Sequence, residues 1–319
     1  MSATLFLYTE ILQLLLVVPT FVLYLLLVVV LLRHRQKSTL SAPFFKLVTA
    51  LGCCDLLALF VNYTFLRMPE WGILVEEVYL PNGDWLMSVG FSGWAATLFI
   101  SNAGVSLIAV NRLMAVAFPV QFKTFWVGRN MPFILLAMFA TGMWAPFVIP
   151  LYVRPFYKVD NATEAVFRVS NNIAKQASAY VLLCLSVSAL CYAVAFWKQK
   201  SAAYSQRRKD VEHRLLICGF FLFIGQLVLA FSGAIRSLAP NSQFTTKLMA
   251  AAYEFFICVN PYVLLIVSRE TRKAFLLTFG CGRLVDNPPS TAPPSVRQAW
   301  HTNSERKAAD ASEGSGICR

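Results

Sequence analysis

Seven apolar runs constrain this chain more than any other feature. They lie near residues 11–32, 43–66, 88–117, 131–153, 174–197, 215–236 and 248–268, and each matches the roughly 20 helical residues that a hydrocarbon core about 30 Å thick requires. In lipid every backbone donor and acceptor must be satisfied inside the segment, so a lone spanning run is a helix. The first run is too long for the apolar part of a signal peptide, and no small-residue cleavage site follows it; it reads as a retained span. The expectation is therefore an all-α membrane protein, a seven-transmembrane helix bundle without internal repeats. Composition excludes the alternatives. The chain is 57% hydrophobic and 14% charged over 319 residues, against about 45–50% and about 25% in soluble domains. A soluble enzyme, a disordered chain and a disulfide scaffold all conflict with those figures.

A net charge of +12 would suggest nucleic acid in a soluble protein, but here the basic residues alternate between loops. Nineteen of them fall after spans one, three, five and seven, and seven fall on the opposite side. Cytoplasmic loops collect Lys and Arg, so the N-terminus is expected outside and the C-terminus in the cytoplasm. The loop after span two is acidic (Glu70, Glu76, Glu77, Asp84), and Asn161-Ala162-Thr163 is a glycosylation sequon in a loop placed outside. Cys53, Cys54, Cys184, Cys191, Cys218 and Cys258 lie in apolar runs and Cys281 and Cys318 follow the last one, which predicts no structural disulfide.

Several chemistries fail for want of residues. His34, His213 and His301 all fall in segments predicted to be cytoplasmic, so none can face another across a bundle as haem or metal ligands. Span seven contains no lysine for a retinal Schiff base, although Lys247 stands at its edge, and no nucleotide-binding fingerprint is present. The chain does not read as an enzyme. What stands out is Asp55 near the middle of span two and Glu254 within span seven. A charge at that depth costs at least about 2.5–3.5 kcal/mol on insertion scales, so each is expected to face the bundle interior. Asn62 lies about two turns beyond Asp55 on the same face, and Gly104 and Gly225 suit close helix packing.

Three local patterns resemble one family. Span three ends in Asn111-Arg112-Leu113, followed by Ala115-Val116-Ala117-Phe118-Pro119 and Trp126; span two carries Asp55-Leu56-Leu57; span seven carries Asn260-Pro261-Tyr262, followed by Arg269-Glu270-Thr271-Arg272-Lys273-Ala274-Phe275. Together they resemble the seven-helix G-protein-coupled receptors, and most of all the nematode serpentine chemoreceptors of the gamma and V classes, over about residues 10–280. The resemblance implies a plasma-membrane chemoreceptor, of the kind found at sensory-neuron endings, that binds an extracellular small molecule or peptide and activates a heterotrimeric G protein. It implies that Arg112 meets the G protein, with Asn111, Arg208, Lys209 and Arg214 on the same cytoplasmic face. It also implies that Asp55, Ser101 and Asn260 form a polar switch cluster, with a sodium ion near Asp55, and that Pro261 bends helix seven.

The chain departs from the wider receptor class in places. Asn111 replaces the acidic neighbour of the arginine, so an ionic restraint on Arg112 from that residue is missing. Span six lacks the Trp and Pro pair, Tyr262 follows Pro261 directly, and no cysteine pair ties helix three to the second outer loop.

By depth, Trp94 and Thr97 on span three and Tyr253 and Glu254 on span seven are the expected pocket residues. After span seven, Arg269, Arg272 and Lys273 oppose Phe275, Leu276 and Phe279, the pattern of a short amphipathic helix on the inner leaflet. Cys281 behind it is a palmitoylation position. Residues 1–283 are expected to form the receptor domain and 284–319, rich in Pro, Ser and Thr, a disordered tail. One rival is a secondary transporter using Asp55 and Glu254, which should show repeats and broken helices. Another is a receptor channel of inverted topology, which the Lys and Arg distribution opposes.

Overall fold

The computed structural model describes residues 3–34, 40–126, 129–143, 157–160, 164–167, 171–201, 206–239 and 243–279. Helix α1 (Ala3–Arg33) is apolar all the way round, as a helix surrounded by lipid and protein must be. Helix α2 (Pro43–Val61) opens on a proline, whose missing N–H belongs to a turn that has no acceptor for it. It continues as a π-helical turn (Asn62–Arg67) and a last α-turn, α3 (Met68–Glu70). A turn in which Gly72 and Leu74 take positive φ leads to a second π-turn, Val75–Tyr79. Helix α4 (Gly83–Ala117) is the longest. Phe118 breaks it and Pro119 starts α5 (Pro119–Trp126), which folds back so that the buried Trp126 indole donates to Met114 Sδ.

Helix α6 (Met131–Met143) comes next, then a hairpin of β1 (Tyr157–Asp160) and β2 (Glu164–Phe167), paired Tyr157↔Phe167 to Asp160↔Glu164. Helices α7 (Asn171–Ser201), α8 (Gln206–Leu238), α9 (Gln243–Val267) and α10 (Arg269–Thr278) complete the described chain. Among the described residues six helices are long and apolar enough to cross a membrane, and α6 is a shorter apolar helix. The rest of the expected fourth span, 144–153, lies outside the described residues, as do Asn161, Cys281 and the tail from 280. The hairpin corrects the all-α expectation locally. It lies between apolar runs, where two strands can satisfy each other's backbone without a helix.

The chain divides into two compact units, Met1–Arg272 and Lys273–Arg319. In the first, α4 is the central helix and touches α2, α6, α7 and α8, while α9 closes the ring between α8 and α1–α2. One seam of its core joins Ala109 to Cys191, Tyr192, Ala195 and Leu216; another joins Cys54, Ile100 and Ala103 to Met138. The outward faces carry exposed Leu12, Leu15, Leu183, Leu190, Phe231 and Ile266, a surface suited to lipid rather than water. The cysteines described are free thiols. In the second unit Thr278 Oγ1 donates to the Ala274 carbonyl, and the Phe275 and Phe279 rings lie 4.8 Å apart.

Close helix approach depends on glycine at Gly142, where a Cβ would stand 2.4 Å from the Ala96 carbonyl oxygen and 2.5 Å from Ile100 Cγ1. A backbone oxygen cannot swing aside, so Gly142→Val is expected to push α6 off α4 and destabilise by about 1–3 kcal/mol. Gly233→Ala, which meets Ser178 Oγ at 3.4 Å, is expected to stay within about 0.5 kcal/mol. Thermal unfolding of the two variants in parallel checks the contrast. At Gly104 and Gly225 the neighbours are chiefly side chains, Leu51 and Met138 at the first and Phe256 and Val259 at the second, which can yield further.

Candidate functional site

Among the described residues, four groups of buried polar side chains stand out inside the bundle, and α9 reaches two of them. The first lies at mid-depth. Asp55 is 2% exposed; its Oδ2 accepts from the Tyr24 hydroxyl at 2.6 Å and from Asn260 Nδ2 at 3.1 Å, and its Oδ1 accepts from Ser101 Oγ at 2.8 Å. Asn260 Nδ2 also reaches Tyr24 Oη at 2.5 Å. Helices α1, α2, α4 and α9 thus meet at one carboxylate, whose burial is offset by three donors. Asp55, Ser101 and Asn260 come together in the arrangement that the resemblance implies, and Tyr24, for which the sequence gives no such signal, joins them. Pro261 lies inside α9, where it leaves one carbonyl without its helical donor. The next residue, Tyr262, meets Thr20 Oγ1 at 2.9 Å.

The second group sits at the end of the bundle where α2 gives way to the π-turn. Arg67 is 3% exposed and is not the loop cation that its place at the end of span two suggests. Its Nε and Nη2 both donate to Glu254 Oε1, at 3.1 and 2.9 Å, and Nη2 also donates to Gln13 Oε1 at 3.2 Å. Its Nη1 donates to Glu70 Oε2 at 3.1 Å and to Glu10 Oε1 at 3.4 Å. Asn62 Nδ2 adds a third donor to Glu254 Oε1 at 3.1 Å, and Trp71 Nε1 donates to Glu10 Oε2 at 3.0 Å. Lys247 Nζ stands 3.1 Å from Glu70 and 3.8 Å from Glu10.

The π-turn is what makes this possible. Residues five apart on an α-helix point about 140° away from each other, whereas a turn closed by i→i+5 bonds nearly superposes them. Asn62 and Arg67 can therefore grip the same oxygen.

The expected pocket residues come together between α4 and α9. Thr97 Oγ1 and Tyr253 Oη are 3.1 Å apart, and the Trp94 ring meets Tyr253 edge-on at 5.8 Å and Phe91 face-on at 5.6 Å. Glu254 follows Tyr253 and turns to Arg67. A neighbouring void between α4, α7, α8 and α9, lined by Leu98, Val181, Leu229 and Met249 with Ala177 and Gly233, measures about 10 Å³, room for at most one water. In this conformation the bundle is closed there.

The third group is a polar ladder through α4, α7 and α8. Gln226 Nε2 donates to Asn102 Oδ1 at 3.1 Å, Ser188 Oγ to Gln226 Oε1 at 3.1 Å, and Ser106 Oγ to the Cys184 carbonyl at 3.0 Å. None of its members was expected from the sequence, because neutral amides and hydroxyls in apolar runs carry no charge signal.

The fourth group is at the opposite end from Arg67. Arg112 is 3% exposed, its guanidinium lies 4.7 Å from the Phe44 ring centre, and its Nε and Nη2 donate to Asn111 Oδ1 at 3.2 and 2.5 Å. In this conformation Arg112 is turned inward, where the ring and the amide replace its hydration, and Asn111 holds it through hydrogen bonds to a neutral amide rather than through an ion pair. Arg208 and Lys209 fall in the first turns of α8, and Arg214 is half-buried one turn on. Nearby, Asn111 Nδ2 and the Tyr192 hydroxyl are buried without a hydrogen-bond partner. At the foot of α9, Arg272 Nη1 donates to the Leu265 carbonyl at 3.2 Å and to that of Ile266, and Ser268 Oγ caps the start of α10 by accepting from Thr271 N at 3.3 Å.

The chain is similar in sequence to known proteins. The sequence model of the family described as serpentine type 7TM GPCR chemoreceptor Srv matches residues 13–281. The chain is 24% identical over 266 residues to serpentine receptor class V-1 of Caenorhabditis elegans, covering 80% of this chain and 85% of that one. It is 22% identical over 297 residues to serpentine receptor class gamma-16 of the same organism, covering 90% of each.

Proposed function

Because this chain belongs to the Srv family of serpentine seven-transmembrane G-protein-coupled chemoreceptors, we propose that it binds an extracellular ligand near Trp94, Thr97, Tyr253 and Glu254 and activates a heterotrimeric G protein from the Arg112 end. The Arg67 end then faces outward and the Arg112 end faces the cytoplasm of a plasma membrane, in keeping with the distribution of Lys and Arg.

The observation that carries this reading is the continuity of α9. Glu254 joins it to Arg67 and Tyr253 joins it to Thr97 of α4, and six residues beyond Glu254 Asn260 joins it to Asp55. A ligand that draws Tyr253 or Glu254 to itself shifts α9 and weakens the Asn260–Asp55 bond. The polar cluster can then exchange between two packings, the property of a switch. The closed conformation, with Arg112 covered by Phe44 and held by Asn111, is the inactive partner of that pair. Ligand selects the open state from a small resident population.

The test is guanine-nucleotide exchange. The full chain in nanodiscs should accelerate exchange on a heterotrimeric G protein above empty discs. No acceleration with any class of Gα would remove the coupling role. Tags at both termini in unpermeabilised cells, with a glycosidase mobility shift at Asn161, test the orientation; an exposed C-terminus would reverse it.

A sodium ion at Asp55 belongs to the same reading. As folded, Tyr24, Ser101 and Asn260 all present hydrogens to the carboxylate, so an ion there needs both hydroxyls to turn their lone pairs inward. Sodium chloride is then expected to raise Tm above equimolar choline chloride, and Asp55→Asn to abolish the difference. Equal Tm in the two salts would remove the ion.

A further inference from the structure

The Arg67 cluster is unbalanced in two independent ways. In hydrogen bonds, all five N–H donors of Arg67 are spent, one on Nε and two each on Nη1 and Nη2. A guanidinium beside a carboxylate ordinarily pairs two nitrogens with two oxygens. Here Nε, Nη2 and Asn62 all crowd onto Glu254 Oε1, and Glu254 Oε2 is buried with no hydrogen-bond partner. Glu254 as a whole is 2% exposed. In charge, the described residues bring together three acids, Glu10, Glu70 and Glu254, and two bases, Arg67 and Lys247. Arg67 pairs with all three acids and Lys247 with Glu70 and Glu10, so among the described residues the cluster as a whole carries one acid more than its bases, and its unpartnered oxygen is that of Glu254.

A buried carboxylate oxygen without a donor has given up its hydration with nothing in exchange, and a surplus charge in a low-dielectric site adds to that cost. A protonated amine answers both deficits at once, since it brings N–H donors and one positive charge. We propose that Glu254 Oε2 is the anchor for the ammonium group of an amine ligand.

This deepens the receptor reading and rests on it, because it names the ligand class for the α9 end of the pocket. Glu70 and Lys247, with side chains 30% and 28% exposed, form the solvent-facing side of the cluster, whereas those of Arg67 and Glu254 are 4% and 3% exposed. Aromatic faces suited to a cation stand beside the cluster. The Tyr63 and Trp71 rings are 5.8 Å apart, and Trp71 is already tied to Glu10. Arg67 fixes Oε1, and Oε2 is left to the ligand. A neutral alcohol supplies the hydrogen bond without the charge and is held more weakly.

The test uses the purified full chain in phosphatidylcholine nanodiscs, read by thermal unfolding, with methylammonium and phenethylammonium chloride as probes. Sodium chloride at equal ionic strength and 2-phenylethanol are the controls. At about a hundredfold excess over Kd, binding is expected to raise Tm by about 5 °C, with little response to 2-phenylethanol. Glu254→Gln keeps an oxygen for Arg67 but removes the charge; without probe it should melt below the unmodified protein, since one partner of a buried ion pair is gone, and with probe it should show no upward shift. If that variant does not fold, Glu254→Asp takes its place; it withdraws the anchor by one methylene and should weaken amine binding about tenfold, about 1.4 kcal/mol. No shift with either amine, an equal shift with 2-phenylethanol, or a shift that survives in both Glu254 variants would overturn the proposal. Nucleotide exchange is not part of this readout, so loss of G-protein coupling and loss of amine binding are separate results.

Discussion

Replacing Arg67 by methionine is expected to destabilise the protein by about 3–5 kcal/mol, the range found when one partner of a buried ion pair is removed. The size follows from what stays behind. Glu254 loses two of the three donors on Oε1, and Gln13, Glu10 and Glu70 each lose one. The hydrocarbon side chain fills the volume but supplies no donor. The measurement is thermal unfolding of purified protein, alongside the fraction that reaches the cell surface. Arg67→Met combined with Glu254→Gln should recover part of the loss, because the deepest uncompensated charge goes with its partner. Non-additivity of about 1–3 kcal/mol between the two substitutions would measure their coupling. Additive effects, or a single variant as stable as the unmodified protein, would show that water reaches the cluster and supports Glu254 without Arg67.

The second large effect is on signalling. Arg112→Glu is expected to abolish G-protein activation, a loss of more than about tenfold in exchange rate, while the protein still reaches the surface. The structure adds a condition to that test. Arg112 is buried against Phe44 and held by Asn111 Oδ1, so a glutamate would set acceptor against acceptor in a dry place. Arg112→Gln, which keeps an N–H donor for Asn111, separates lost coupling from lost packing. Both variants silent, with unchanged Tm for the glutamine, is the expected pattern; exchange at the unmodified rate in either would end the role of Arg112. Phe44→Ala should act oppositely and raise basal exchange, since it uncovers the guanidinium.

How much of this could be read beforehand differs by residue. Asp55, Ser101 and Asn260 could be placed together because the resembled family gathers such residues in one polar cluster; depth by itself says only that a mid-membrane acid must turn inward and find donors. Tyr24 was overlooked because a tyrosine in an apolar run costs little and signals nothing. Arg67 was legible only as a charge to be counted, although an acid within span seven calls for a partner, and Arg67 was the nearest cation at the same depth. Glu10 and Gln13 fell at the blurred start of the first run, and α1 in fact begins at Ala3.

The amino-acid order by itself determined that the chain is a bundle of apolar helices, about where each one starts, and which family motifs it carries. Burial in lipid is a one-dimensional constraint, satisfied or violated segment by segment. Tertiary structure decided the rest: that α2 widens into a π-turn, that Asn62 and Arg67 share one oxygen of Glu254, and that Arg112 lies under Phe44. Those outcomes depend on which faces of separate helices meet, and on a register set by one extra residue in a turn. Hydrogen bonds between side chains as far as 242 positions apart leave no mark on local propensity or periodicity. They form because an unpaired polar group inside the bundle costs more than the backbone adjustment that pairs it.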